Sequence, residues 1–186
     1  MVKSKCIIFG PILINMDFSQ IRMATLNDVD EIASLFKQVT DQMKAQGIEQ
    51  WHYHYPLASH VTQDIMAEHG HVYMIGNQIA GTITIDTKQD SQYQNVQWQY
   101  PTDLCVVIHR LGVHPSFQGR GISKTLCRYA EHVALQQNIH HIRLDAYSLN
   151  PISNQLYASL GYHLADGFCH FHGNDAPFFC YEKRLI

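Results

Sequence analysis

The sequence predicts a mixed α/β (α+β) domain, a mostly antiparallel sheet flanked by helices. Three observations carry that reading. Segments with an apolar period of two alternate with segments whose apolar residues recur every three or four positions. Two adjacent strand-like runs are joined by Gly76-Asn77-Gln78, a hairpin signal. The chain of 186 residues is 46% hydrophobic, which suits one globular domain with a buried core.

Residues 21–24 read as a short strand. Thr25 with Asp28 three residues on resembles a capping box at a helix start. Val29, Ile32, Phe36, Val39 and Met43 then make one apolar face, and Gly47 ends the helix. An aromatic loop, 51–56, and a short helix near 61–68 follow. Residues 72–75 and 79–86 are the hairpin strands. The polar connection 87–103 exceeds the ~12–15 residues usual for structureless loops. It is either a lid or partner surface, or a segment held down by Tyr93, Trp98 and Tyr100.

Residues 104–113 begin with Leu-Cys-Val-Val-Ile, the pattern of a central strand buried on both faces. Residues 121–137 form a helix and 141–146 a strand. Asn150 caps another helix that has Pro151 at its first position and Gly161 past its end. Strands 162–171 and 178–185 close the order β-α-(α)-β-β-β-α-β-α-β-β.

Composition narrows the function. A net charge of −3 with 13 Lys and Arg excludes an extended basic face for nucleic acid. No apolar run reaches the ~18 residues of a membrane span. The five cysteines form no C-x-x-C pair, so buried free thiols in a reducing, cytoplasmic setting are expected. Residues 1–19 read as an N-terminal extension and 20–186 as the domain. Lys3 and Lys5 precede an apolar stretch that vaguely resembles a signal peptide, but no A-x-A-like site follows. The extension is expected to pack on its own domain or on a second subunit of a homodimer. Met16 is a candidate start.

The richest chemistry lies where a strand ends at Leu111-Gly112-Val113-His114-Pro115 and Gln118-Gly119-Arg120-Gly121 opens a helix. Glycines let backbone amides approach a ligand, and the helix N-terminus adds partial positive charge. Arg120 and Lys124 add full charges, so the segment reads as an anion site. Its spacing fits neither a dinucleotide fingerprint nor a P-loop.

This run resembles the acetyl-CoA motif of the GNAT N-acetyltransferase superfamily, Gln/Arg-x-x-Gly-x-Gly/Ala after a strand ending in Ala-Val-x-Pro. Here it is Gln118-Gly119-Arg120-Gly121-Ile122-Ser123. Ser123 and Gly112 stand where the family has Gly/Ala and Ala; both are small. A second family block, Asn-x-x-(Ala/Ser)-x-x-x-Tyr-x-x-x-Gly-(Phe/Tyr), is filled by Asn150, Ser153, Tyr157, Gly161 and Tyr162. The resemblance covers about residues 20–186.

The resemblance implies direct transfer of acetyl from acetyl-CoA to a primary amine, with the sheet splayed between its fourth and fifth core strands. It implies cofactor contacts at Leu111, Gly112, Val113, Gln118, Gly119, Arg120, Gly121, Ile122, Ser123, Lys124, Asn150 and Asn154. Tyr157 suits the leaving thiolate, since a phenol is still protonated near neutral pH. A core aromatic is the other reading of Tyr157. His109 is the candidate base, matching a His-x-Leu-Ala-Val pattern in arylalkylamine N-acetyltransferases; with 13 histidines, chance placement is the alternative. The histidine clusters at 52–54, 140–141 and 170–172 repeat no ligand spacing, so no metal is assigned. Glu49, Asp86, Asp103 and Asp145 are candidate carboxylates for a cationic acceptor, each expected on the solvated surface. A small-molecule amine is the expected acceptor. The alternatives are a protein N-terminus or lysine, and a CoA-binding module without catalysis.

Overall fold

A computed structural model describes residues 17–186. Most of the expected extension, residues 1–16, lies outside the described residues. A seven-stranded sheet runs in the order β1-β2-β3-β4-β5-β7-β6. Its strands are β1 (Ile21–Met23), β2 (Gly70–Ile75), β3 (Gln78–Asp86), β4 (Val106–Val113), β5 (His141–Tyr147), β6 (His163–Cys169) and β7 (Phe178–Arg184). All neighbours pair antiparallel except β4 and β5, which are parallel. The helices are α1 (Val29–Ala45), α2 (Ala58–Met66), α3 (Ile122–Gln136) and α4 (Pro151–Ser159). The architecture is the one the sequence predicts.

Alternation sorts each strand between two faces. Ile142, Leu144 and Ala146 of β5 join Val106 and Ile108 of β4 beneath α3 and α4. The opposite face is covered in two parts. Ile32, Leu35, Phe36 and Val39 of α1 pack with Val61 and Ile65 of α2 over the β1–β3 side. Over the β4–β7 side lies the 87–103 connection, which includes a 3₁₀ turn at Ser91–Asn95.

That connection is a packed layer of the core. Tyr93 and Val96 are buried. Trp98 Nε1 donates to the Tyr93 carbonyl at 3.0 Å, and the Arg143 guanidinium lies 4.1 Å from the Trp98 ring centre. Arg143 also donates to Gln89 Oε1 and to the Tyr100 carbonyl. Glu182 accepts from the backbone amides of Gln99 and Tyr100. Buried Arg143 and Glu182, cross-strand partners on β5 and β7, therefore bind the segment down. The lid alternative gives way to the packed one.

Thr25 caps a 3₁₀ turn, Leu26–Asp28, that runs directly into α1. The Thr25 amide and hydroxyl both donate to Asp28 Oδ2, at 2.6 and 2.9 Å. Arg22 of the neighbouring β1 strand adds two 2.8 Å bonds to the same carboxylate. The Arg22 hydrogen bonds, helped by those from Thr25 and set against burial, hold the Asp28 carboxyl down at about 2. A carboxyl depressed on folding stabilises the native state above its unfolded value of ~3.9, and that stabilisation is lost as pH falls toward 2. Asp28→Asn should cost about 1–2 kcal/mol at pH 7, discounting for the partly exposed Arg22. Urea denaturation of both proteins checks this: the gap between them should close as pH falls from 4 toward 2.

Candidate active site

β4 and β5 pair over only three positions, Val106↔Ile142, Val107↔Arg143 and Ile108↔Leu144. Beyond them β4 continues along β3 to Val113, while β5 continues along β7 to Tyr147. The two strands part, and the β5-facing edge of β4 from His109 onward has no strand partner.

The parting coincides with a bulge. Thr84 pairs with His109 and Thr82 with Gly112, so Arg110 and Leu111 together stand opposite Ile83. Arg110 sits at φ +47°, unusual for a side-chain-bearing residue. Its guanidinium makes two bonds to the Asp64 carboxylate of α2, at 2.7 and 2.6 Å, and a third to Tyr55 Oη at 3.1 Å. Asp64 also accepts from Thr84 Oγ1 at 2.8 Å. One ion pair thus locks the bulge to α2 and to β3.

Gly112 follows the bulge. A Cβ there would lie 3.2 Å from Leu35 Cδ2 and 3.3 Å from Phe36 Cε1. Glycine therefore lets α1 sit close to β4. Gly121, at φ +81°, caps α3 in a conformation that side chains rarely adopt, with open space where a Cβ would be. Ile122 and Ser123, the first residues of α3, line the cavity described next.

The parted strands open a cavity of about 940 Å³. Leu111, Gly112, Val113, Gln118, Gly119, Gly121, Ile122 and Ser123 line one end of it. Asn150 and Tyr157 of the α4 region line it from the β5 side. His109, Asp86, Asp145, Tyr55 and Trp51 line the end toward α1 and the 51–56 loop.

Three of the expected contacts stand off this wall. Arg120 is exposed and lies against the Phe117 ring, and Lys124 is exposed. Asn154 is spent on the protein: Nδ2 donates to the carbonyls of Tyr147, Ser148 and Asn150, and Oδ1 accepts from Tyr181. Gln118 reaches Gln42 Oε1 and the Val113 carbonyl. Asn150 caps α4 through Ser153 N and donates to Gln50 Oε1.

Tyr157 is buried between Tyr162 and Tyr181, with centroids 5.9 and 5.7 Å away, yet it also reaches the cavity. Burial pushes its phenol well above 10, with Cys127, Asp145 and Tyr181 adding to the shift. His109 Nε2 lies 3.1 Å from Asp86 Oδ1 and 3.2 Å from the Lys88 carbonyl. Both neighbours only accept, so Nε2 carries the proton and the neutral ring keeps its lone pair on Nδ1. Burial acts to raise the Asp86 carboxyl, but His109, the Lys88 amide and His69 outweigh it and hold it low.

Two carboxylates expected on the surface are on the cavity wall instead. Asp86 is buried at the end of β3. Asp145 stands on β5, with Oδ2 taking the Tyr93 hydroxyl at 2.8 Å. Burial pushes the Asp145 carboxyl up, Tyr93 and His109 pull it down, and Asp90 pushes it up again. Glu49 and Asp103 are exposed. The sequence did hold a signal for Asp145. Arg143 and Asp145 alternate with Ile142, Leu144 and Ala146, so a central strand must turn charge toward one buried face. The Arg110–Asp64 lock had none beyond a charged residue inside a strand.

The model of the acetyltransferase (GNAT) family matches residues 28–162. The chain belongs to the acetyltransferase (GNAT) family. Among solved structures, a Staphylococcus aureus Mu50 protein shares 26% identity at a TM-score of 0.71, covering 89% of this chain and 99% of that one. A GNAT-family acetyltransferase of Streptococcus agalactiae 2603 shares the fold at a TM-score of 0.78 and 21% identity, with 90% and 95% covered. PaiA N-acetyltransferase of Thermoplasma acidophilum, solved with coenzyme A, does so at 0.66 and 16% identity, with 89% and 98% covered. Comparison with curated proteins finds no match. Among the described residues of this GNAT chain no helix is long and apolar enough to cross a membrane.

The lock predicts a stability effect. Asp64→Ala leaves the Arg110 guanidinium, 14% exposed, with Tyr55 alone. Breaking one side of a buried pair typically costs about 3–5 kcal/mol. Urea unfolding should show a loss near the low end of that range. Asp64→Asn, which keeps an acceptor, should lose less.

Proposed function

We propose that this GNAT protein transfers acetyl from acetyl-CoA to a primary amine of a small molecule, in the cytoplasm, with 20–186 as the catalytic domain and 1–19 outside the chemistry. The observation that carries the reading is one continuous cavity with three features along it. These are the α3 N-terminus, Tyr157, and His109 with Asp86, all on its wall.

The residues present fit acetyl-CoA. The amides of Gly119 to Ser123, with the positive end of α3, suit a pyrophosphate. Arg120 and Lys124 flank that end as exposed charges. Leu111, Gly112 and Val113 offer an unpartnered strand edge to an amide-bearing arm, and Asn150 lies alongside. Bound there, acetyl-CoA supplies the acetyl group as a thioester. The coenzyme A found in PaiA of Thermoplasma acidophilum supports the assignment.

The chain's own residues then handle protons. An attacking amine must be neutral, and His109 Nδ1 takes its proton. The Asp86 carboxylate, at the opposite ring nitrogen, fixes the tautomer and stabilises the imidazolium that forms. As the new C–N bond forms and the C–S bond breaks, Tyr157 Oη holds a proton for the departing sulfur. Its environment keeps it protonated across the neutral range.

Two loops joined beside the cavity favour a small molecule over a peptide. Asn174 Nδ2 donates to the carbonyls of Glu49 and Gln50, at 2.6 and 3.2 Å, and Gly173 abuts the His52 ring. The β6–β7 loop is thereby tied across to the loop after α1.

Two measurements test the reading. Acetyl-CoA should raise the melting temperature of the wild-type protein, because a ligand of the folded state alone stabilises it. Gly121→Asp should abolish that rise by setting a side chain and a negative charge at the α3 N-terminus; an equal rise in both proteins sinks the cofactor site. Tyr157→Phe keeps the ring and its packing but removes the donor. Single-turnover acetyl transfer should fall by at least about tenfold, with the KM for acetyl-CoA nearly unchanged. Unchanged chemistry in a folded variant removes Tyr157 from the mechanism.

A further inference from the structure

The charges on the acceptor half of the cavity are one-sided. Three carboxylates line it, Asp86, Asp90 and Asp145. Two cationic side chains share the wall, Arg110 and Lys88. Arg110 is consumed by Asp64 and Tyr55. Lys88 is exposed, and its amide, rather than its ammonium, serves Asp86. Asp86 is itself occupied by His109, by the Lys88 amide and, at 3.7 Å, by His69.

Asp145 differs. One of its oxygens takes the Tyr93 hydroxyl, while Oδ1 has no hydrogen-bond partner among the described residues, and the residue lines the cavity. Asp90 lies beside it, with Oδ1 held by the Gln92 amide. Arg143, the guanidinium two residues before Asp145, is bound to Gln89, Tyr100 and Trp98 and offers it no charge. Phe171 and Phe178 stack edge to face at 4.9 Å and, with Trp51, form the aromatic part of the same wall. Aromatic faces beside carboxylates attract cations and repel anions.

We propose that the acceptor is an amine bearing a second positively charged group, and that Asp145, aided by Asp90, selects it. The proposal rests on the acetyl-transfer reading above. One amine of such a molecule gives up its proton to His109 and is acetylated. The other stays protonated and fills the unpartnered side of the Asp145 carboxylate. A carboxylate-bearing amine of equal length brings a negative charge to the same wall and is rejected.

Three acceptors of matched length test this with the full chain and acetyl-CoA: 1,5-diaminopentane, pentylamine and 5-aminopentanoate. The wild-type protein should favour the diamine over pentylamine by about tenfold in kcat/KM, after allowance for its two equivalent amines. The aminopentanoate should rank last. Asp145→Asn keeps the shape and can still accept from Tyr93, so the fold is retained. It should bring the diamine-to-pentylamine ratio near one and raise the aminopentanoate relative to pentylamine. Calorimetry should show the same loss of diamine binding to CoA-saturated protein. Asp90→Asn, outside the β5 strand, should lower the ratio by less.

The proposal is overturned if the wild type turns over all three alike, prefers the aminopentanoate, or acetylates none of them. An unchanged ratio in Asp145→Asn also overturns it. So does an equal fall for all three acceptors, which would set Asp145 at the reacting nitrogen instead. A preference-free turnover of pentylamine leaves the acetyltransferase reading standing, whereas a missing acetyl-CoA thermal shift defeats that reading itself.

Discussion

Arg110 interrupts β4 at the position where the sheet must choose between closing and opening. A regular strand would carry its ladder with β5 past Ile108 and fill the space that the cavity occupies. The extra residue opposite Ile83 bends β4 away, and a left-handed backbone at a bulky residue costs about 1 kcal/mol or more. Three hydrogen bonds from the guanidinium, two of them to a carboxylate, hold that conformation in place. Asp64 is fixed in turn by Thr84 of β3. The opening is therefore a defined shape built on secondary structure, which a positioned reaction needs.

Once the strands part, each wall inherits a different chemistry from the same alternation rule. The β4 side presents backbone and small residues, because Gly112 must admit Leu35 and Phe36 of α1 behind it. The β5 side presents Asp145, because Ile142, Leu144 and Ala146 already fill the opposite face. The face that carries Asp145 is roofed by the 87–103 segment in place of a helix. An irregular roof can hydrogen-bond charged residues that a helix would leave unsatisfied, as Arg143, Glu182 and Asp145 each find partners in it.

The elements themselves were legible, because periodicity and caps are local. Thr25 with Asp28, Asn150 with Pro151, and the Gly76-Asn77 turn all stand where their residue types predict. The α3 N-terminus was legible too, since glycines before an apolar helix report a local backbone need. What the sequence hid was long-range. Arg110 meets Asp64 across 46 positions and Tyr93 meets Asp145 across 52. Nothing in the spacing of either pair announces it. Arg120 and Lys124 are exposed beside the α3 N-terminus, and Asn154 is bonded to the protein's own carbonyls. A charge near a helix start is free to point to solvent, whereas the backbone amides of that start have a fixed direction.

The burial of Tyr157 and the ionisation of Asp145 pull in opposite directions. Burial keeps the Tyr157 phenol protonated, and the same burial disfavours a bare carboxylate nearby. Tyr93 offsets part of that cost through a hydrogen bond to one oxygen. The second oxygen is left for something the protein does not provide. A cation that arrives there favours the ionised form of Asp145. Water would also solvate the carboxylate, but it would lower the phenol toward its ordinary range. Under the proposed acetyl transfer, a site dry at the tyrosine and charged at the aspartate is best completed by a ligand that brings the countercharge with it.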